Sequence, residues 1–143
     1  ENLIDPLVKA GADTIAVQTE LDPDFEYIRD RTEEHDILLG LSVNPDTALN
    51  GRQDHLEQVD YVVLLSVMPG FGGQEFREDV LPKLHRLRNH FDGPIQIDGG
   101  LNPDNVQKAI EAGADWIVAG SSIFGGNDPA VAAQTMLERF PEQ

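Results

Sequence analysis

Five short runs rich in Val, Ile and Leu punctuate the 143 residues, at Thr14–Val17, Ile37–Val43, Tyr61–Val67, Pro94–Ile97 and Trp116–Ala119. Each is apolar on both faces, the pattern of a parallel strand covered by helices on one side and packed in a core on the other. Helical patterns separate them. Asp24–Glu34 follows Leu21-Asp22-Pro23, with Asp22 as its cap, and Phe76–His90 carries Val80, Leu81, Leu84 and Leu87 at helical spacing. Pro103–Ala112 has Asn102 as cap and Pro103 in its first turn, and closes at Gly113. Asp128–Phe140 opens on Asp-Pro in the same way, and a helix at Asn2–Ala10 precedes the first run. The spacing predicts five βα units in one domain over residues 1–143, without linker, low-complexity segment or internal boundary.

An internal echo sharpens this reading. "AGADTIAV" at Ala10–Val17 returns as "AGADWIVA" at Ala112–Ala119. In both, a helix stops at Gly, turns through Ala-Asp and enters a strand, so one joint is built twice.

Repeated βα units fit either an open doubly wound sheet or a closed eight-stranded barrel. The unusual residues decide between them. They follow the strands' C-terminal ends: Glu20, Asn44, Ser66 with a glycine loop, Asp98-Gly-Gly and Gly120-Ser-Ser. In a barrel those ends meet on one rim, where active sites form. The expectation is therefore an α/β TIM barrel of which five strands are visible, where a whole barrel has eight and typically about 250 residues.

Composition narrows the partners. The chain carries 26 acidic and 10 basic residues, a formal charge of −16. That argues against nucleic acid and anionic membranes, both of which are held by Lys and Arg clusters. No cysteine is present, which excludes disulfides and thiolate metal sites and fits a reducing cytoplasm. No apolar run approaches the roughly 20 residues of a membrane helix, and the first residues lack the basic-then-apolar order of a secretory signal.

The rim chemistry starts at "MPGFGGQ", Met68–Gln74, directly after the third run. Its three glycines can serve a flexible turn, or let backbone N–H groups approach an anion closely because no Cβ intervenes. "DGG" at Asp98–Gly100 and "GSSIFG" at Gly120–Gly125 tilt the balance to an anion. Barrels often hold phosphate with the loops after their last two strands and the start of a short extra helix, here with Ser121 or Ser122 as cap. Asp98 ends a strand at the barrel mouth. As well as a turn residue, it suits proton transfer at a carbon next to a carbonyl, or metal ligation.

"LLSVMPGFGGQEF", followed by "IQIDGGLNPDNVQKAIEAGADWIVAGSSIFG", resembles the ribulose-phosphate 3-epimerase family, and "AGADTIAVQTE" and "GLSVNPDTAL" fit the same family's middle segments. The resemblance covers essentially the whole chain and implies a ribulose-phosphate-binding TIM barrel, with strands four to eight visible. By that resemblance, Gly70, Phe71, Gly72 and Gly73, with Gly99, Gly100, Gly120 and Ser121, would surround a substrate phosphate. Asp98 would be a metal ligand and one of two acid/base carboxylates. The family interconverts D-ribulose 5-phosphate and D-xylulose 5-phosphate in the pentose phosphate and Calvin pathways. One Asp removes the C3 proton, a divalent metal (zinc, iron or manganese) stabilises the enediolate, and the other Asp reprotonates the opposite face.

The departures from the family are specific. Its first three strands carry a Ser, a His-x-Asp pair and a further His, and none has a counterpart here. His35, His55, His85 and His90 read as surface residues away from the rim. Gln18 stands where the family has His, while Glu20 is retained. Leu65 replaces a Met that helps shield the substrate, and Met68 replaces an Asn or Glu. Two readings follow: the C-terminal part of an epimerase, incomplete without its N-terminal strands, or a silent truncated barrel that binds phosphate or a partner chain. A barrel acting on an indole or thiamine precursor fits the PGFGGQ loop poorly. Either surviving reading leaves edge strands exposed, so the expected state is a homo-oligomer.

Overall fold

The computed structural model describes residues 3–140. The five apolar runs become β1 (Thr14–Gln18), β2 (Leu38–Val43), β3 (Tyr61–Leu65), β4 (Ile95–Asp98) and β5 (Trp116–Val118). They pair in chain order, β1-β2-β3-β4-β5, and every pair is parallel. A doubly wound sheet reverses its order at a switch point. This monotonic order is that of a TIM-type wall.

The helices are α1 (Ile4–Lys9), α2 (Phe25–Glu33), α3 (Gln53–Leu56), α4 (Leu81–Arg88), α5 (Val106–Glu111), α6 (Ser121–Phe124) and α7 (Pro129–Leu137). Asn2, where the first helix was expected to start, lies outside the described residues. Several expected boundaries shift for local reasons. Asp24, not Asp22, caps α2 by accepting the Tyr27 N–H at 3.0 Å. Asp22 instead turns left-handed, φ 48°, at the end of a 3₁₀ turn over Thr19–Leu21. The Asn102 side chain accepts the N–H groups of Asp104 and Asn105, so it closes a turn and the helix begins only at Val106. The Phe76–His90 pattern divides into a 3₁₀ turn, Glu78–Val80, and α4. One-turn α3 is too short to carry a helical period in its sequence. Asp128 caps α7 as expected, accepting from Ala130 and Val131.

The echoed joint has one geometry twice. Ala12 N–H reaches back to Leu7 O, and Ala114 N–H to Ala109 O, both at 3.1 Å. Gly11 and Gly113 adopt φ 88° and 108° between them, the left-handed turn that ends a helix in this way.

Alternation along the strands separates two faces. Leu39, Leu41, Val43, Val62, Leu64, Ile95 and Ile97 are buried under the helices with Ile28, Leu84, Leu87 and Ala109. The opposite, inner face carries Gly40, Ser42, Tyr61, Val63, Gln96, Asp98, Trp116 and Val118. Its floor is filled by the Tyr61 ring, which lies where a Gly40 side chain would be, with the Trp116 ring 5.7 Å away. Toward β5 the inner face is open: Trp116 and Val118 are exposed.

Candidate functional site

A depression of about 510 Å³ opens at the C-terminal ends of β3, β4 and β5. It is lined by Gly70, Phe71, Gly72 and Gly73, by Asp98, Gly99 and Gly100, and by Gly120 and Ser121. The glycines, Phe71, Asp98 and Ser121 singled out in the sequence meet there, whereas Glu20, Asn44, Ser66 and Ser122 do not line it. Leu65, Val67, Met68, Pro69, Gln74 and Val118 complete the lining, and no lysine or arginine takes part. An anion in this depression would depend on backbone N–H groups.

Two serine side chains tie the three loops together. Ser66 is fully buried, and its hydroxyl faces the carbonyls of Asp98 (2.9 Å) and Gly99 (2.6 Å), strapping the end of β3 to the end of β4. The Ser122 hydroxyl donates to Leu101 O at 2.6 Å, joining the loop after β5 to the loop after β4. Ser122 is therefore a strap and not a helix cap. Gly120 occupies the cap position of α6, and no side chain caps it. Gly100 explains the double glycine. A Cβ there would lie 2.3 Å from Phe76 N and 2.8 Å from Gln74 O, and its φ is 65°. Only glycine lets the two loops touch.

Asp98 ends β4 on the inner face, half-buried. Burial alone pushes its carboxyl above the usual carboxylate range, because no described residue offers it a hydrogen bond or countercharge. That is the state of a group able to take and return a proton.

A second polar cluster shapes the rim beside β1 and β2. Glu20 Oε1 accepts the Asn44 N–H at 2.8 Å. Burial pushes the Glu20 carboxyl up, but hydrogen bonding by Thr47 and Asn44 and the charge of Arg52 outweigh it, leaving the group below its ordinary value. Lys83 is buried and donates to Asn44 O (2.8 Å) and Pro45 O (2.9 Å), and burial lowers its pKa. The turn after β2 is thus held by an acid from one side and an ammonium from the other. Lys83 sits on the same α4 face as Val80, Leu84 and Leu87, a position whose sequence signal is apolar. Gln18 lies beside Asn44, its Nε2 3.5 Å from Asn44 Oδ1.

The histidines need one correction. His35, His85 and His90 are exposed, but His55 is half-buried: its ring packs on Phe25 at 4.5 Å, and Nδ1 lies 3.3 Å from the Thr19 hydroxyl. Among the described residues, no three His, Asp or Glu side chains are grouped to hold a metal ion. Among the described residues, Asp98 is the one carboxylate lining the depression. A separate groove of about 180 Å³ between the Ala48–Asn50 turn and α4 shares Lys83 with the second cluster and no residue with the depression.

The model of the ribulose-phosphate 3-epimerase family matches residues 1–124. This chain belongs to that family. The ribulose-phosphate 3-epimerase of Mycobacterium leprae is 34% identical over 139 residues, which cover 94% of this chain and 62% of the relative. The chloroplastic ribulose-5-phosphate-3-epimerase of Arabidopsis thaliana is 37% identical, covering 92% of this chain and 50% of that protein. The chain therefore spans between half and about three fifths of the length of these epimerases. Among solved structures, 3-hexulose-6-phosphate synthase from Salmonella typhimurium superposes with a TM-score of 0.72 at 21% identity, over 95% of this chain and 65% of that one. The tryptophan synthase alpha-subunit of Pyrococcus furiosus gives 0.67 at 19%, over 96% of this chain and 57% of that one. These likenesses establish the fold, and the family match is what singles out the epimerases.

Proposed function

We propose that this chain supplies the phosphate grip and one acid–base carboxyl of a ribulose-phosphate 3-epimerase site, acting on D-ribulose 5-phosphate and D-xylulose 5-phosphate. The observation that carries the reading is the meeting of three glycine-bearing loops and Asp98 on one depression. Gly70, Phe71, Gly72 and Gly73, with Gly99, Gly100, Gly120 and Ser121, form the wall that would take the phosphate. The Asp98 carboxylate takes the proton from C3, and the electron pair moves into the C2 carbonyl to give an enediolate. Inversion requires a second acid on the opposite face, and among the described residues no other carboxylate lines the depression. A divalent metal (zinc, iron or manganese), as the family resemblance implies, would need ligands besides Asp98. The described residues do not provide them.

The chemistry of a lone carboxyl makes the test sharp. Asp98 returns a proton to the face it came from. In heavy water, this chain alone is expected to wash deuterium into C3 of ribulose 5-phosphate without forming xylulose 5-phosphate. Mass spectrometry and proton NMR follow both. Full epimerisation by these 143 residues would overturn the single-carboxyl reading, and no exchange at all would remove Asp98 from the chemistry.

One observation favours a second reading, a catalytically silent barrel portion that holds phosphate or a partner chain: the described residues group no metal-binding set. Under both readings five parallel strands leave the barrel unclosed, and the proposed setting is the cytoplasm. β1 and β5 are the sheet's edges, so association of the isolated chain through them is expected. Light scattering after size exclusion would report it, and a monomer with a cooperative melt would count against it.

A further inference from the structure

Gln74 ends the glycine loop, and its side chain turns back into it. Nε2 lies 2.7 Å from Met68 O and 2.9 Å from Phe71 O. A primary amide nitrogen carries two protons, and here each has its own carbonyl. The opposite amide orientation would press Oε1 against two carbonyl oxygens, so the chemistry leaves one assignment. With both N–H groups used, Gln74 retains only an acceptor oxygen, which would repel an anion.

The clasp also sets peptide orientation. In a trans peptide the carbonyl and the following N–H point in opposite directions. Drawing the Phe71 carbonyl toward Gln74 therefore turns the Gly72 N–H away from it. The other clasped carbonyl precedes Pro69, which has no N–H to direct. The Gln74 backbone abuts Gly100, where an added Cβ would come within 2.8 Å of its oxygen. The clasp is thereby referenced to the rigid end of β4.

Building on the phosphate-grip reading, we infer that Gln74 is a positioning residue. It does not touch the anion but orders the loop and directs the Gly72 N–H as its donor. Free glycine-rich loops sample many conformations, and binding to one of them is weakened by the fraction of time it is populated.

The test uses ¹⁵N-labelled chain, with inorganic phosphate as the probe. Gln74→Met keeps the length of the side chain and removes its donors. Its Gly70, Gly72 and Gly73 amides are expected to fall from order parameters of about 0.85 to below about 0.6. Phosphate affinity is expected to weaken about tenfold, the equivalent of two neutral hydrogen bonds. In the unsubstituted chain, phosphate should move the Gly72 amide resonance more than that of Gly70. Gln74→Glu, which can only accept, should loosen the loop equally and provides a second variant if the first does not fold. Unchanged loop order and unchanged phosphate affinity in these variants would overturn the inference. A loop that loosens in the variants while the unsubstituted chain binds no phosphate would sustain the clasp and overturn the phosphate reading.

Discussion

Asp60 and Asp115, at the N-terminal ends of their strands, and Asp98, at a C-terminal end, are treated in opposite ways. At the N-terminal end, Asp60 accepts the Leu39 N–H at 2.8 Å and an Arg29 N–H at 2.8 Å. Asp115 accepts the Ile95 N–H and an Arg88 N–H, again both at 2.8 Å. Each latches one strand to the next unit, with an arginine to balance the charge. At the C-terminal end, Asp98 is half-buried and no described residue pairs with it, and the walls around it are bare glycine backbone. An acid that stabilises a fold is given its donors in advance, whereas the acid proposed for the chemistry is left wanting them, at some cost to the folded state.

That contrast can be broken most sharply at Asp98 itself. Asp98→Asn should reduce deuterium wash-in at C3 of ribulose 5-phosphate by about 10²–10⁴-fold, the range for losing a positioned base. The same substitution should raise stability at neutral pH. Burial lifts the folded-state pKa of Asp98 above its unfolded value. The native state therefore holds its proton more tightly, and stability declines as pH rises from the unfolded carboxylate value through the raised folded one. The gain from Asn should vanish in acid below about pH 3.9. Thermal melts across that range check it, and a gain independent of pH would contradict the assignment to burial.

Asp60→Ala is the opposite experiment. It leaves the Leu39 N–H without its acceptor and unpairs Arg29. The expected loss is about 2–3 kcal/mol, or roughly 10 °C in Tm, with phosphate affinity unchanged. If binding fell in step with stability, the two ends would not be separable.

Gly100→Ala should cost about 1–2 kcal/mol for the left-handed Cβ, and beyond that the displacement of the Gln74–Phe76 backbone, to which that Cβ would come within 2.3 Å. Here phosphate binding should be lost more completely than stability. A calorimetric titration beside a melt would show whether the rim can loosen while the fold persists.

Much of this was legible residue by residue. The Val, Ile and Leu runs mark five strands because a doubly covered strand has few polar positions, and "AGAD" marks two joints because a helix stop needs a left-handed residue. Asp128-Pro announces a cap because Asp accepts from the free N–H groups that follow it. Other features carried no local signal. Lys83 looks like any helix-face residue until two carbonyls from the turn after β2 are found above it. Asn102 has a cap's sequence but spends its oxygen on closing a turn. Ser122 sits where a cap was expected, and it reaches across to Leu101 because that carbonyl is within range.

The sequence alone determined the alternation of elements, the chain's place among βα-built folds and the residue types at the rim, because propensity, capping and periodicity act over a few neighbours. Only the tertiary structure decided that residues 70–73, 98–100 and 120–121 share one depression, and that Gln74, Ser66 and Ser122 hold it in shape. Those contacts span loops distant in the chain, and a hydrogen bond forms only where folding brings donor and acceptor within about 3 Å.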